Sequence, residues 1–314
     1  MRDLRIIFMG TPDFATAILK HLVANKQNIV GVITAPDKPA GRGRKLNESS
    51  VKKYAVSENL NVLQPINLKD EKFLKDLKDL NANLQIVVAF RMLPKQVWQL
   101  PEFGTFNLHA SLLPDYRGAA PIHWAIINGE TKTGVSTFFI DEKIDTGAVI
   151  LQKETQISDH ETVGELHDTL MNLGADLVLE TIQLIKNNKV TTKKQPAKEE
   201  KIAPKLFPEN CKIDWEKDID SIYNKIRGLN PFPAAWTLIK NDEEEISTQI
   251  YDVKKEKEIH HHPKGKIIAS KKEIKVAIKD GYINIMTLKL SGKKKMDAQS
   301  LLNGFTFSEN AKML

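Results

Sequence analysis

Asn107 and His109 are residues whose types and spacing could carry out chemistry. They stand two residues apart in the apolar segment Thr105–His109, and in a strand such residues face the same side, about 6 to 7 Å apart. An Asn amide can donate a hydrogen bond to a developing oxyanion, and a His can move a proton near neutral pH. A pair of this kind at a strand end can also be incidental, so these two residues alone do not establish a catalytic site.

Asp145 is the candidate third member of this group. It lies in the segment Asp141–Gly147, between two apolar runs that are typical of strands. This segment could return to the same sheet edge, where the carboxylate would hold His109 in one tautomer and stabilise its cation. The alternative interpretation of Asp145-Thr146-Gly147 is a simple turn.

The elements that must position these residues alternate short apolar runs with amphipathic stretches. This alternation predicts an α/β fold, with a doubly wound, mainly parallel sheet whose ligand site lies at the carboxyl ends of its strands. Strands are predicted at Arg5–Met9, Asn28–Thr34, Asn61–Leu63, Leu84–Phe90, Thr105–His109 and Gly134–Ile140. Helices are predicted near Pro12–Ala24, Ser50–Glu58, Glu71–Leu80, Pro121–Asn128 and Glu161–Lys186.

A change of composition after the last of these helices predicts a second domain. Residues 189–207 are rich in Lys, Thr and Pro, which is typical of an exposed linker. A short helix at Ile219–Arg227 and a series of short β-like runs then predict a small, OB-like β-barrel. The runs are Trp236–Ile239, Ser247–Val253, Gly265–Ala269, Ile274–Ile278 and Tyr282–Leu290. We therefore expect a first domain at 1–188, carrying the candidate catalytic residues, a linker at 189–207 and a barrel domain at 208–314.

Composition excludes several classes of protein. The single cysteine, Cys211, excludes an intramolecular disulfide framework and a multi-cysteine zinc site. The run His260–His262 is a weak metal signal, because consecutive side chains point in different directions, and we expect no metal. No apolar run approaches the roughly 18 to 20 residues of a membrane span. We therefore expect a protein of the cytoplasm that makes no contact with a membrane.

Positive charge is concentrated at the C-terminal end of the chain. From Ile250 onward there are fourteen Lys and seven acidic residues, whereas the whole chain has a net charge of +6. An excess confined to one end is typical of a surface that binds a polyanion.

The candidate catalytic residues belong to a series of motifs. Asn-x-His at 107–109 is followed by Ser-Leu-Leu-Pro at 111–114, by Arg-Gly-Ala-Ala-Pro-Ile at 117–122 and by Asp-Thr-Gly at 145–147. This series closely resembles the folate-dependent formyltransferase family. Further similar segments are Phe8–Phe14, Pro36–Gly43, Ala203–Lys205, Ile213–Trp215 and Arg227–Ala234.

The resemblance implies an enzyme of translation initiation. Its formyl donor would be the reduced folate 10-formyltetrahydrofolate, used as a co-substrate, and its acceptor would be the free amino group of initiator methionyl-tRNA. No obligate protein partner is implied.

The resemblance also implies roles for particular residues. Asn107, His109 and Asp145 would be catalytic. The reduced folate would lie against Ser111, Leu112, Leu113 and Pro114 and against the loop residues Phe90, Arg91 and Met92, where relatives commonly have a Gly after the aromatic residue. The tRNA would contact a basic loop through Lys38, Arg42, Arg44 and Lys45 and the C-terminal domain through Lys271, Lys272, Lys293, Lys294 and Lys295.

Two other functions remain open at this point. A sugar-nucleotide formyltransferase would keep the three catalytic residues but would not need a Lys-rich second domain. A non-catalytic tRNA-binding module would need the basic domain but not Asn107, His109 and Asp145. An oxidoreductase is disfavoured, because Gly10-Thr11-Pro12 is not part of a complete G-x-G-x-x-G motif.

Overall fold

The computed structural model describes residues 1–40, 45–196 and 201–314, and the chain divides into two compact units. The first unit comprises residues 1–118, 133–155 and 167–202, and the second comprises residues 119–132, 156–166 and 203–314. The second unit therefore takes two segments from the part of the chain before the predicted boundary at residue 188. The domain boundaries at 188 and 207 stay a prediction.

The elements up to residue 186 alternate strands and helices, as the sequence predicts. The strands are β1 (Ile6–Gly10), β2 (Ile29–Ile33), β3 (Lys38–Ala40), β4 (Lys45–Asn47), β5 (Val62–Leu63), β6 (Leu84–Val88), β7 (Thr105–His109), β8 (Arg117–Gly118), β9 (Lys132–Phe139) and β10 (Val149–Gln156). The helices are α1 (Asp13–Ala24), α2 (Ser50–Ser57), α3 (Glu71–Asp79), α4 (Lys95–Trp98), α5 (Pro121–Ile127) and α6 (Val163–Lys186).

The main sheet of the first unit has the strand order β10-β9-β7-β6-β1-β2-β5. The pairs β5-β2, β2-β1, β1-β6 and β6-β7 are parallel, and β7 pairs with β9 in the antiparallel direction. Strands β1 and β6 are buried along their whole length, as is typical of parallel strands that are covered on both faces. The predicted mainly parallel, doubly wound sheet is confirmed.

Helix α6 packs on the β7 and β9 part of this sheet. The hydroxyl groups of Thr137 on β9 and Thr181 on α6 are hydrogen-bonded at 2.8 Å and are fully buried. At Gly174 a Cβ atom would lie 2.8 Å from a methyl carbon of Leu108, so the helix backbone approaches β7 closely. This packing fixes strand β7, which ends at His109.

The remaining elements form the greater part of the second unit. The strands are β11 (Ile202–Ala203), β12 (Ala235–Asn241), β13 (Glu244–Glu256), β14 (Ile267–Ala269), β15 (Ile274–Ile278), β16 (Gly281–Leu290), β17 (Met296–Asp297) and β18 (Lys312–Met313). The helices are α7 (Pro208–Cys211), α8 (Ile219–Arg227) and α9 (Ala298–Leu302).

The C-terminal strands form a nearly closed antiparallel barrel. Their order is β14-β15-β16-β13-β12-β18, and β17 also pairs with β16. An isolated antiparallel bridge between Lys266, just before β14, and Lys312 on β18 links the two ends of this order. The Met313 N–H also donates to the Gly265 carbonyl at 2.8 Å. The predicted small β-barrel is confirmed, and helix α8 contributes Ile219, Ile222 and Ile226 to its core.

The run His260–His262 lies between strands β13 and β14. His260 Nε2 is hydrogen-bonded to the Gly281 carbonyl at 2.9 Å, and the His260 ring centroid lies 4.4 Å from that of Tyr282. Within the described residues, no group of three or more His, Cys, Asp or Glu side chains is arranged to hold a metal ion. In this same part of the chain, no helix is long and apolar enough to cross a membrane.

Candidate active site

His109 is the last residue of strand β7 and is 6% exposed. Its Nε2 lies 2.9 Å from the carbonyl oxygen of Tyr116. Because a carbonyl oxygen only accepts hydrogen bonds, Nε2 carries a proton in this arrangement. The second ring nitrogen, Nδ1, therefore remains for chemistry.

Asp145 faces that second nitrogen. Its Oδ2 lies 3.8 Å from His109 Nδ1 and accepts a hydrogen bond from the Gly118 N–H at 3.0 Å. The separation of 3.8 Å is too long for a hydrogen bond but places the carboxylate oxygen next to this nitrogen. The structure thus brings together Asp145 and His109, and the Tyr116 carbonyl rather than Asp145 holds Nε2.

The backbone of the Asp145 loop lies tightly against strand β9. Asp145 has a φ of 56°, in the left-handed region. A Cβ atom at Gly147 would lie 1.7 Å from the Phe139 carbonyl oxygen, so only glycine fits there. The sequence Asp-Thr-Gly is therefore a turn whose geometry brings the carboxylate to His109.

Gln195 holds this loop in place, although its position in a Lys- and Thr-rich segment predicts an exposed linker. It is only 8% exposed. Its Nε2 donates to the carbonyl oxygens of Asp145, at 3.0 Å, and Gly147, at 2.7 Å. Its Oε1 accepts from Arg117 Nε and Nη2, at 3.1 and 2.8 Å. The expectation of exposure is wrong for Gln195, since its amide is used completely by the candidate site.

Asn107 shares the strand face of His109, two residues earlier in β7. It is half-buried, and its side chain forms no hydrogen bond with any residue that the structure describes. An unpaired amide beside the His109 ring is a free donor at the sheet edge. Since β6 and β7 are parallel, the loop that follows β6 begins at this edge as well.

Side chains of strands β9 and β10 hold the turn at Ser111–Pro114 by hydrogen bonds. The Ser136 hydroxyl donates to the Ser111 carbonyl at 2.6 Å and accepts from the Leu113 N–H at 3.1 Å. Gln152 Nε2 donates to the Leu113 carbonyl and to the Ser136 hydroxyl, both at 2.9 Å. Ser111 is fully buried, whereas Leu112 and Pro114 are partly exposed. Sequence reasoning missed Ser136 and Gln152, because their partners are distant in the chain.

The second predicted folate segment follows strand β6. Met92 is 69% exposed. Arg91 donates from Nη1 to the Ile66 carbonyl at 2.8 Å and from Nη2 to the Pro65 carbonyl, and its guanidinium lies 5.5 Å from the centroid of the Phe90 ring. Within the described residues the backbone N–H groups of Arg91 and Met92 form no hydrogen bonds. The loop therefore presents free backbone donors although it lacks the family's usual glycine.

The predicted basic loop is built as a hairpin. Strands β3 and β4 pair in the antiparallel direction, with Lys38 opposite Asn47. The residue before β3, Asp37, accepts hydrogen bonds from Lys52 and, at 2.8 Å, from Gln64. The hydrogen bond with Lys52 lowers the pKa of Asp37 and raises that of Lys52. Arg42 and Arg44 lie outside the described residues, as does the side chain of Lys45.

The five C-terminal lysines proposed for tRNA lie in two turns along one edge of strand β16. Ile274 on β15 is opposite Ile285, and Met296 on β17 is opposite Leu288, while strand β13 occupies the other edge. Lys271 and Lys272 precede β15, and Lys293 to Lys295 precede β17, so the register places both turns along the same edge. Within the described residues, none of these five side chains forms an ion pair.

Comparison with known proteins agrees with this fold. Residues 4–182 match the formyl transferase family, and residues 205–306 match the C-terminal domain of formyl transferases. The chain belongs to the formyl transferase family.

Several similar proteins from bacteria carry one and the same name. The methionyl-tRNA formyltransferase of Flavobacterium johnsoniae is 60% identical over 314 residues, with 100% of both chains covered. The methionyl-tRNA formyltransferase of Bacteroides thetaiotaomicron is 51% identical over 317 residues, covering 99% of this chain and 98% of its own. The solved structure of WlaRD, a sugar 3N-formyl transferase in the presence of dTDP and 5-N-formyl-THF, has a TM-score of 0.66 at 20% identity and covers 94% of this chain and 100% of that one. At that identity the likeness shows the fold alone.

Proposed function

We propose that this chain transfers the formyl group of 10-formyltetrahydrofolate to the free amino group of initiator methionyl-tRNA, and that Asn107, His109 and Asp145 carry out the transfer. The observation that carries the residue assignment is the state of the His109 ring. Its Nε2 is held by the Tyr116 carbonyl, while Nδ1 has a carboxylate 3.8 Å away and no hydrogen bond within the described residues. When Nδ1 is protonated as well, a buried ring held in this way can donate from Nδ1 to a reacting oxygen.

The chemistry follows from the groups at the sheet edge. A free α-amino group has a pKa of about 7.7 to 8.0, so a useful fraction is neutral and nucleophilic near neutral pH. Its attack on the formyl carbon forms a C–N bond and moves the carbonyl electron pair onto oxygen. The Asn107 amide and the protonated Nδ1 of His109 stabilise that oxyanion, and Asp145 stabilises the His109 cation. The tetrahedral centre collapses when the electron pair on oxygen re-forms the C=O bond and the bond to the folate nitrogen breaks. The proton that the attacking nitrogen loses passes through water to the departing nitrogen.

The two loops at this edge are the proposed folate contacts. The turn Ser111–Pro114 is rigid, because Ser136 and Gln152 bind both sides of its backbone. The loop of Phe90, Arg91 and Met92 offers unpaired backbone donors, which suit the polar edge of a pterin ring, and an exposed Met92. The Arg91 guanidinium already donates to the carbonyls of Pro65 and Ile66. We therefore expect Arg91 to contact the folate through its backbone N–H.

The acceptor is held by two basic surfaces. The hairpin β3-β4, anchored through Asp37, carries Lys38 and Lys45 and leads to Arg42 and Arg44, which we assign to the acceptor stem. The lysine turns beside β16 contact phosphates along the tRNA. Arg42→Ala should mainly lower the rate at saturating tRNA. The tRNA would still bind, but its aminoacyl end would no longer be aligned with the formyl carbon. Since charged tRNA is used in the cytoplasm, we place the reaction there.

A formylation assay tests this proposal. The chain is given 10-formyltetrahydrofolate with three acceptors in turn: initiator methionyl-tRNA, elongator methionyl-tRNA and an amino sugar nucleotide. We expect formylation of the initiator substrate and none of the sugar. Transfer to the sugar alone would replace the proposed acceptor, and no transfer to any acceptor would reject the enzyme.

A further inference from the structure

The second unit contains a pocket that the proposed reaction does not use. Its volume is about 790 Å³, within the roughly 300 to 1,000 Å³ of pockets that bind small ligands. Three aromatic side chains line it, Phe207, Phe232 and Trp236. Phe207 is 52% exposed and Phe232 is 79% exposed. Two phenylalanine rings left in contact with water beside one pocket mark a binding surface rather than a core.

The polar groups of the pocket define the charge of its ligand. Lys205 and Lys289 line it, and none of the described residues that line it is an Asp or a Glu. Neither lysine forms an ion pair within the described part of the chain. The Lys205 ammonium lies 5.4 Å from the centroid of the Phe207 ring, and that of Lys212 lies 5.7 Å from the Trp236 ring. The pocket therefore combines flat apolar surfaces with uncompensated positive charge.

Two hydroxyl groups belong to the polar lining, which also includes Gln249 and His123. Ser247 and Ser291 are exposed at the pocket, and their side chains form no hydrogen bond with the residues that the structure describes. They can donate to, or accept from, a ligand that carries both donors and acceptors.

We infer that this pocket binds one unpaired nucleotide of the tRNA, with its base against Phe232 and Trp236 and its phosphate near Lys205 or Lys289. The inference rests on the proposed function, which supplies the RNA. Aromatic rings bind bases of any sequence by stacking, and lysines beside them neutralise the backbone phosphate. An apolar peptide would match the rings but would leave both lysines without a partner, so the charge favours the nucleotide.

Affinity measurements on the full chain test the stacking. Phe232→Ala should raise the Kd for initiator methionyl-tRNA about tenfold, since one stacked base contributes on the order of that factor. Phe232→Tyr should keep the Kd within about twofold, because it retains the ring. Ile259→Ala is the matched control: Ile259 belongs to the same unit and is 95% exposed but does not line the pocket, so its Kd should equal that of the unchanged chain.

A second readout observes the pocket directly. The indole N–H of Trp236, which donates to the Pro208 carbonyl at 2.6 Å, is assigned by NMR with the help of Trp236→Phe. Adenosine 5′-monophosphate and a single-stranded tetraribonucleotide should shift this signal, and Phe232→Ala should suppress the shift. Inorganic phosphate alone should leave the signal unmoved.

The outcomes separate this inference from the proposed function. Normal formylation together with an unchanged Kd for Phe232→Ala and an unmoved Trp236 signal would overturn the nucleotide site and leave the enzyme in place. A moved signal without formylation of any acceptor would reject the enzyme while supporting the nucleotide site. Equal losses of affinity in Phe232→Ala and Phe232→Tyr would overturn stacking.

Discussion

The candidate active site and the C-terminal pocket use polar residues in opposite ways. At the sheet edge, His109, Arg117 and Gln195 are each less than a tenth exposed, and each is held by at least one hydrogen bond to another residue. At the pocket, Lys205, Lys289 and two phenylalanine rings are exposed, and neither lysine forms an ion pair with a residue that the structure describes. Chemistry needs groups that are fixed before the substrate arrives, whereas binding a flexible polyanion needs charges that are free to pair with it.

The largest effect should come from removing the proposed catalytic side chains. His109→Ala and Asn107→Ala should each lower turnover by about 10² or more, because each removes a donor to the oxyanion. The tRNA affinity should stay nearly unchanged. Single-turnover formylation and equilibrium binding, measured on the same preparations, check this. A parallel loss of affinity would instead indicate a structural role for these residues.

Removing the charge of Asp145 should have the next largest effect. Asp145→Asn keeps the shape of the side chain, and the Gly118 N–H can still donate to its oxygen. The rate should fall at least about tenfold, and the pH–rate profile should change, because the negative charge 3.8 Å from His109 Nδ1 is gone. Rates measured from pH 6 to 9 provide the test. An unaltered rate and profile would remove Asp145 from the mechanism.

Removing the Gln195 side chain should lower the rate indirectly, because Gln195 holds the loop that carries Asp145. Gln195→Ala leaves the carbonyls of Asp145 and Gly147 and the Arg117 guanidinium without this partner, so we expect kcat to fall about tenfold with little change in the Kd for tRNA. Gln96→Ala, at an exposed glutamine of helix α4, is the control and should behave like the unchanged chain. A loss of stability without a loss of kcat in the folded protein would make Gln195 structural only.

The unpaired lysines should affect salt dependence rather than rate. Replacing Lys271, Lys272 and Lys293 to Lys295 with Gln should flatten the slope of log affinity against log salt by up to about 0.9 per lost phosphate contact, with the B-DNA value as a guide. Lys255 and Lys264 already pair with Asp220 and Glu216, so their replacement with Gln should change the slope less. A salt titration of tRNA binding compares the two sets. Equal slopes for both would reject the distinction between paired and unpaired lysines.

The smallest effect concerns one of these surface ion pairs. Hydrogen bonds from Lys255 and Lys257 lower the pKa of Asp220. A carboxyl whose pKa is lower in the folded state stabilises the fold above its unfolded pKa of about 3.9, and that contribution is lost as the pH falls through the folded value. Because Asp220 is 47% exposed, Asp220→Asn should lower the free energy of unfolding at pH 7 by less than about 1 kcal/mol.

Urea unfolding at pH 7 and pH 3 measures this difference for Asp220→Asn. Glu309→Gln, an exposed acid with no ion pair in the described chain, is the control. A difference between Asp220→Asn and the unchanged chain that is larger at pH 3 than at pH 7 would contradict the predicted sign.

The sequence predicts the strands, and the residues that the structure brings together as the candidate site, better than the residues that support them. Strand β7 and helix α8 begin and end at the predicted residues, because their apolar periods are regular and turn or capping residues follow them. Gln195 could not be found in this way, since its partner Arg117 is 78 residues away and its neighbours are typical of a linker. Helix α5 shows the same limit. Its apolar face is visible in the sequence and places it with the first domain, but its residues belong to the second unit.

The hairpin β3-β4 shows a different limit of prediction from sequence. The Gly- and Pro-rich stretch from Ala35 to Leu46 predicts a loop, and the pairing of Lys38 with Asn47 depends on the anchor at Asp37. Turn-forming residues indicate where the chain reverses direction. They do not show whether the flanking residues pair.

Gln195 also determines where the chain can be truncated to give a stable first unit. A fragment ending at residue 188, the boundary that composition predicts, would lack the amide that holds the Asp145 and Gly147 carbonyls. Arg117 would lose the acceptors that Gln195 and Pro196 provide. A fragment that continues past Pro196 would retain both, together with the bridge between Val149 and Lys193. A truncated catalytic unit should therefore be designed by its hydrogen bonds rather than by its composition, and a peptide spanning residues 189–202 becomes a candidate for restoring activity to the shorter fragment.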